Sequence, residues 1–175
     1  VLDESIFHDA RLHPTWERAD LDNWYAAPVG GLNFNDNCLD FTVAPGKGGK
    51  GQAVVTTQPR TGLAKIVNRS TSGGRGDPVL NHAFDSFEFT LSGRCSKTTN
   101  LGAVSFPDPG LLFADVFRRT LAEQGIPTKG QTVRRRVRLD DGGLPSSLTI
   151  LDRHHTPLSA VLARAGKDSQ NLFAE

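Results

Sequence analysis

The sequence contains no methionine, only two cysteines and no apolar run near the roughly 18 residues of a membrane-spanning helix. Its 20 Lys and Arg residues nearly balance 19 Asp and Glu residues, so the formal net charge is +1. We therefore expect no transmembrane segment and no global field that would attract nucleic acid or anionic lipid. Because the chain opens without Met and ends just after a predicted helix start, we expect an internal piece of a longer protein.

Nothing in the sequence predicts a cofactor or a metal. The glycine- and lysine-rich run 46–51 lacks the six-residue frame that ends in Gly-Lys-Ser/Thr and opens a helix, so we interpret it as a loop. Zinc sites on helices need histidines one turn apart. No such spacing is found among His8, His13, His154 and His155.

The two cysteines, Cys38 and Cys95, each lie beside a strand-like run. A disulfide between them would stabilise the fold in an oxidising compartment. Two buried free thiols are the alternative, and composition leaves both open.

The first hundred residues predict short strands separated by Gly- and Pro-containing loops. The clearest is 86–91, where polar and apolar residues alternate as in a half-buried antiparallel strand. Loops are predicted at 45–51 and 72–78. The predicted strands are 32–44, 53–58, 64–70, 86–92 and 103–106.

After residue 107 the apolar period becomes helical. A helix is predicted from about Gly110 to Gln124 because its apolar stripe stops before Gly125, a C-terminal glycine signal. A strand pair is predicted at 132–139 and 147–152, joined through a turn. A second helix is predicted to begin at Thr156 and Pro157 and to end at Gly166. The fold class is therefore α+β, with a β-rich part at 1–106 and a mixed part at 107–175.

The triplet Ser169-Gln170-Asn171 follows this second helix, at a further predicted helix start. Taken alone it is weak, because a serine there is usually a plain helix N-cap.

Several linked segments nevertheless resemble one family in order along nearly the whole chain. The stretch from His155 through Glu175 resembles the region around the second motif of class C penicillin-binding proteins, which are D-alanyl-D-alanine carboxypeptidases and endopeptidases. Other segments similar to this family are 1–7, 26–28, 32–38 and 109–126.

The resemblance implies that 1–106 belongs to a β-rich accessory insertion and that 107–175 returns into a β-lactamase/transpeptidase-like domain. It also implies catalytic roles for Ser169, as a proton relay, and Asn171, as a hydrogen-bonding partner of the catalytic lysine and the substrate. The middle residue of the triplet, Gln170, departs from Ser-Asp-Asn, the commoner form of this motif in the family. The family's nucleophile motif, Ser-x-x-Lys, does not occur in these 175 residues, and Lys97-Thr98-Thr99 lacks the glycine of Lys-Thr-Gly. We therefore expect this chain alone to be inactive.

By the same resemblance, the intact parent is expected to be exported to the periplasm or cell envelope. It would act on peptidoglycan stem peptides through an acyl-enzyme, bind β-lactams and need no cofactor. An exported parent also favours the Cys38–Cys95 disulfide. The alternative function is a non-catalytic module that binds peptidoglycan or scaffolds a partner, with Ser169 only a helix cap.

Overall fold

Strands and helices form a mixed α+β arrangement in the computed structural model, which describes residues 1–7 and 11–168 and confirms the predicted fold class. Short 3-10 turns precede the first strand. In chain order the strands are β1 Cys38–Ala44, β2 Val54–Gln58, β3 Lys65–Asn68, β4 Thr71–Ser72, β5 Pro78–His82, β6 Glu88–Cys95 and β7 Thr99–Ser105. The helices are α1 Pro109–Glu123 and α2 Leu158–Asp168.

The first sheet has β1 at its centre, with β2 and β7 antiparallel on either side. Alternate residues of β1 enter the interior, as the period of a strand requires. Leu39, Phe41 and Val43 are all fully buried. The register between β1 and β7 shifts after Phe41, which marks a β-bulge.

The second sheet is built around β6, which confirms the alternating strand predicted at 86–91. β6 is antiparallel to β5 but parallel to β3 and β4, so its pairing is mixed rather than purely antiparallel. Two of its residues, Phe89 and Leu91, are fully buried.

The main hydrophobic cluster joins both sheets to α1. The rings of Phe41 and Phe89 lie 5.0 Å apart, and Phe106 and Leu112 complete the buried set with Leu39. Because Leu112 lies on α1, the helix shares one core with the strands.

The predicted first helix is confirmed as α1, within one residue at each end. Asp108 caps it by accepting a hydrogen bond from the Leu111 backbone N–H at 3.0 Å, and Pro109 occupies the first turn. Farther along, Asp115 accepts bonds from the Thr61 hydroxyl at 2.7 Å and the Gly62 N–H at 2.9 Å. These bonds hold the helix against the loop before β3.

The strand pair predicted at 132–139 and 147–152 is wrong. Only an isolated bridge, between Leu2 and Arg134, forms there, and no strand is found in 147–152. The alternating apolar residues stay largely exposed, with Leu151 at 93%. A two-stranded ribbon with no surface to cover its apolar face has little stability of its own.

Other boundaries also differ from the predictions: β6 is Glu88–Cys95 rather than 86–92, and β7 is Thr99–Ser105 rather than 103–106. Residues 32–37 do not extend β1, because Asn35–Asn37 forms a turn. The loop predicted at 72–78 ends where β5 begins, and β5 itself was not predicted. The second helix is confirmed, but α2 continues beyond Gly166 to Asp168.

The predicted disulfide is wrong in this structure, where Cys38 and Cys95 are both free and buried. Cys38 begins β1, whereas Cys95 packs against Val43 near the other end of that strand, about 16 Å along it. The Cys38 thiol contacts the Asp36 carbonyl at 3.2 Å, and burial, with nearby carboxylates, raises its pKa to about 12.

Neither helix in the described part of the chain has the length and apolar character needed to cross a membrane.

Candidate functional site

The predicted catalytic residues Ser169 and Asn171 lie outside the described residues, as does His8. The described segment nearest to the motif in sequence is helix α2. It extends to Asp168, the residue directly before Ser169.

Arg164 ties α2 to the segment that precedes β1. Its guanidinium donates to Asp168 on the same helix at 2.6 Å, and its other terminal nitrogen forms an ion pair with Asp36. One side chain thus connects the last turn of α2 to a residue 128 positions earlier.

The turn that carries Asp36 is locally well defined. Asn35, Asp36 and Asn37 all have positive φ, at 52°, 51° and 58°, a conformation that Asn and Asp tolerate better than most residues. The Asn37 side chain donates to the Pro28 carbonyl at 2.8 Å, and Asn35 donates to the Asp40 carboxylate at 2.9 Å. Asp36 is therefore presented to α2 from a hydrogen-bonded turn.

The apolar side of α2 is mostly uncovered. Leu158 is 70% exposed and Leu162 is 60% exposed, whereas Val161 and Ala165 are half-buried. Because burying a leucine stabilises a fold by about 1.5–3 kcal/mol, this side of the helix is a surface suited to further packing.

A second polar cluster joins the N-terminal segment to the start of α1. Arg134 donates to Glu4 at 2.6 Å and also pairs with Asp108, which Arg11 contacts at 3.1 Å. Burial alone would raise the pKa of Asp108, but hydrogen bonds from Arg134, the Leu111 N–H and Arg11 outweigh it and lower the pKa. Asp108 is therefore ionised whenever the protein is folded near neutral pH.

This cluster borders a cavity of about 580 Å³ that Asp3, Arg11 and Arg134 help to line. Glu4 packs so closely against Gly110 that a side chain at that position would collide with its carboxylate. Glu4 and Asp108 are both paired with arginines and lie at the positive end of the α1 dipole, where negative charge is stabilising. Ser5, also at the cavity, hydrogen-bonds to Asp3. Against the effect of burial, hydrogen bonds from Ser5 and from the backbone N–H groups of Val137 and Arg138 lower the pKa of that carboxylate and make it a poor base. The geometry fits a structural junction better than a catalytic centre.

His82 is a buried titratable residue that the sequence analysis missed. Its side chain is 2% exposed and stacks on Phe89 at 4.1 Å. Nε2 lies 2.6 Å from the Ser86 carbonyl, while Nδ1 has no hydrogen-bond partner within the described ranges and lies 4.0 Å from Asp22. Burial lowers its pKa despite the hydrogen bond to Ser86. The alternating run 79–82 was the sequence signal for strand β5. The sequence analysis missed it because a loop was predicted directly before it, at 72–78.

In residues 1–7 and 11–168, no three His, Cys, Asp or Glu side chains are grouped closely enough to hold a metal ion.

A model of the D-Ala-D-Ala carboxypeptidase 3 (S13) family matches residues 1–175 of the chain. No curated protein matches the sequence.

Two solved structures share the fold. One is penicillin binding protein 4 (dacB) from Haemophilus influenzae, at 18% identity and a TM-score of 0.67 over 98% of this chain. The other is the same protein complexed with a novel β-lactam, at 16% identity and a TM-score of 0.55 over 86% of this chain. The present chain spans 39% and 34% of the two matched chains.

Proposed function

The chain belongs to the D-Ala-D-Ala carboxypeptidase 3 (S13) family, and from this membership we propose that it forms part of a serine-type D-Ala-D-Ala carboxypeptidase and endopeptidase. The substrate would be the D-Ala-D-Ala end, or the D-amino-acid cross-link, of peptidoglycan stem peptides. The observation that carries the proposal is the family match over all 175 residues.

The proposed chemistry assigns one step to Ser169 and one to Asn171. In the intact parent, the nucleophile would be the serine of a Ser-x-x-Lys motif, whose lysine takes the serine proton. Ser169 would relay that proton to the leaving D-alanine nitrogen. The Asn171 carboxamide would accept from the lysine and donate to the substrate, which a carboxylate cannot do.

The position of α2 supports this assignment. The helix leads directly to Ser169, and the Arg164 bridge between Asp36 and Asp168 anchors its last turn to the segment before β1. An anchored helix end suits a motif whose hydroxyl and amide must hold a defined geometry.

We retain the domain division at residue 106 as part of the proposal. All seven strands of the described chain lie in 38–105, and α1 begins at Pro109. Since Leu112 packs in the strand core, the two proposed parts are not separate packing units. The mixed part would continue into the transpeptidase-like domain, which would cover the exposed leucines of α2.

A parent of this kind would act in the periplasm or cell envelope and would bind β-lactams. The complex of the structurally similar Haemophilus influenzae protein with a β-lactam supports that expectation.

The alternative, a non-catalytic peptidoglycan-binding or scaffolding module, is favoured by one observation. These 175 residues contain neither Ser-x-x-Lys nor Lys-Thr-Gly. Reading the parent coding sequence on both sides separates the two functions, because the enzyme requires the first motif upstream and the third downstream. A parent that lacks both would leave the module as the function.

The direct test is acylation of the intact parent by fluorescent penicillin. Asn171→Ala should slow labelling by about thirtyfold to a thousandfold, because a positioned donor contributes about 2–4 kcal/mol to the transition state. Ser169→Ala should also slow it, whereas Ser159→Ala, on an exposed part of α2, is the matched control and should not. Unchanged labelling of the Asn171 variant would remove this residue from the site.

A further inference from the structure

The structure gathers five cationic side chains at one end of the two sheets, four in loops that are distant in sequence and one, Arg94, at the end of strand β6 directly before Cys95. We call this group the basic tip. All five are exposed, and the only carboxylate within the same loops is that of Asp77. The basic tip consists of Lys47, Lys50, Arg75, Arg94 and Lys97.

Hydrogen bonds hold the β1–β2 turn against the start of the loop that leads to β5. The Gly46 N–H donates to the Ser72 hydroxyl at 2.8 Å, and the Ser72 N–H donates to the Gly51 carbonyl at 2.7 Å. The lysines of the first loop, Lys47 and Lys50, therefore lie beside the loop that carries Arg75.

The end of β6 joins the same group. The Gly73 N–H donates to the Cys95 carbonyl at 2.7 Å, and the Cys95 thiol lies 3.2 Å from the Lys97 carbonyl. A Cβ built on Gly74 would lie 2.9 Å from the Arg94 guanidinium, so that side chain lies along the glycine loop. Beneath these loops lies a small buried cluster of Val43, Ala53, Leu91 and Cys95.

The charge of the basic tip departs strongly from that of the whole chain. Five cations and one carboxylate give it a formal charge of +4, whereas the chain as a whole carries +1. Within the described ranges, no ion pair neutralises any of the five. A local field of this kind attracts polyanions even where net charge does not.

The shape of the basic tip favours a chain-like ligand. Its cations extend from the hairpin of one sheet to the last residues of β6 in the other, so together they span more than one phosphate group. Between them, Gly48, Gly49 and Gly51 have positive φ and open space around them, which lets a ligand approach the backbone closely. The loops 45–51, 73–77 and 96–98 carry no aromatic or large aliphatic residue for stacking bases or entering lipid.

We propose that the basic tip binds a linear polyanion of phosphate groups that carries no nucleobases. Lysines supply mobile point charges, and arginines supply the fork that fits phosphate oxygens. None of its five side chains belongs to the proposed catalytic motif, and binding there does not depend on the proposed peptidase activity.

The test is calorimetric titration of the 175-residue chain with long-chain inorganic polyphosphate at about 0.05 M salt, where surface charges are weakly screened. Binding should weaken steadily as salt is raised. Replacing Lys47, Lys50, Arg75 and Arg94 together by Gln should raise Kd by at least about tenfold. The double variant Lys47→Gln/Lys50→Gln changes only the open glycine turn and should show an intermediate loss with an unchanged melting temperature.

The matched control removes four exposed cations elsewhere, by replacing Arg60, Lys129, Arg135 and Arg153 with Gln. It lowers the net charge equally and should change Kd by less than about twofold. An equal loss in this control would overturn the proposal, as would no binding by the unmodified chain. Tighter binding to phosphatidylglycerol vesicles, or to an oligothymidylate of equal charge, would overturn the proposal and identify a membrane or a nucleic acid as the ligand. Complete competition by orthophosphate at constant ionic strength would identify a site for a single small anion.

Discussion

Residues 38–123 and residues 126–168 differ in how much of their apolar surface the protein covers. The first region places Phe41, Phe89 and Leu112 at zero exposure. In the second region, which the structure describes throughout, no residue is buried, and Leu151 is 93% exposed. The first region thus has its own core, whereas the second has apolar side chains suited to a surface that other parts of the parent would supply.

The largest expected effect follows from the motifs that these 175 residues lack. The 175-residue chain should form no covalent adduct with fluorescent penicillin, because it holds neither the nucleophilic serine nor its lysine. Losing a nucleophile or its base costs a serine hydrolase roughly a millionfold in rate. Intact mass after incubation is the measurement, and the intact parent is the positive control. A stoichiometric adduct on Ser169 would make that serine the nucleophile and contradict its proposed role.

The contrast in burial predicts very different stability effects for two truncations. Phe89→Ala should lower the free energy of unfolding by about 3–5 kcal/mol, since it leaves a cavity between the two sheets. Leu162→Ala, on the exposed side of α2, should change it by less than about 0.5 kcal/mol. Urea denaturation measures both, and Phe89→Leu provides a milder variant if the alanine form does not fold. Equal losses of unfolding free energy in the two variants would contradict the difference in burial between the two regions.

A smaller effect should separate an ion pair at the edge of the core from one that lies wholly within the second region. Asp108 is mostly buried, caps α1 and pairs with Arg134 and Arg11, so Asp108→Ala should cost about 2 kcal/mol from the lost cap and the lost ion pairs. Asp140 pairs with Arg136 in full exposure, and Asp140→Ala should have no measurable effect. Asp108→Asn keeps an acceptor for the cap and should fall between them. Thermal unfolding at low salt gives the ranking; the reverse order would contradict the structural role assigned to Asp108.

The smallest effect concerns pH. Burial lowers the pKa of His82 in the folded state, although Asp22 and Asp85 nearby act in the opposite direction. The unfolded chain therefore binds the proton first, and stability should be lost as pH falls below about 6.5. Denaturation of the unmodified chain and of His82→Gln at pH 7.5 and 5.5 measures this difference, with exposed His154→Gln as the control. An unchanged pH dependence in His82→Gln would exclude this histidine as the cause.

Predictions from sequence succeeded where local chemistry decides the structure. The apolar period of α1 and the glycine after it act within a few residues, so both ends of the helix were predicted within one residue. Alternation likewise identified β6. The same alternation failed at 132–139 and 147–152, because a strand needs a partner edge and a covered face that a local pattern does not report.

The missed features depend on residues far apart in the chain. β5 is a strand because β6 offers it an edge, and His82 is buried only through that pairing. The candidate catalytic pair rests on family resemblance and family membership, since Ser169 and Asn171 lie outside the described residues.

The sequence by itself determined the α+β class, the limits of α1, the core-facing residues of β6 and the family to which the chain belongs. Tertiary structure alone decided that β3 runs parallel to β6, that Cys38 and Cys95 lie near opposite ends of β1, and that five cations from separate loops and the end of β6 form one basic tip. The physical reason is the distance along the chain over which each kind of interaction acts. Caps, turns and apolar periods act over a few residues, whereas strand pairing and the clustering of charges depend on which distant segments the hydrophobic core brings together.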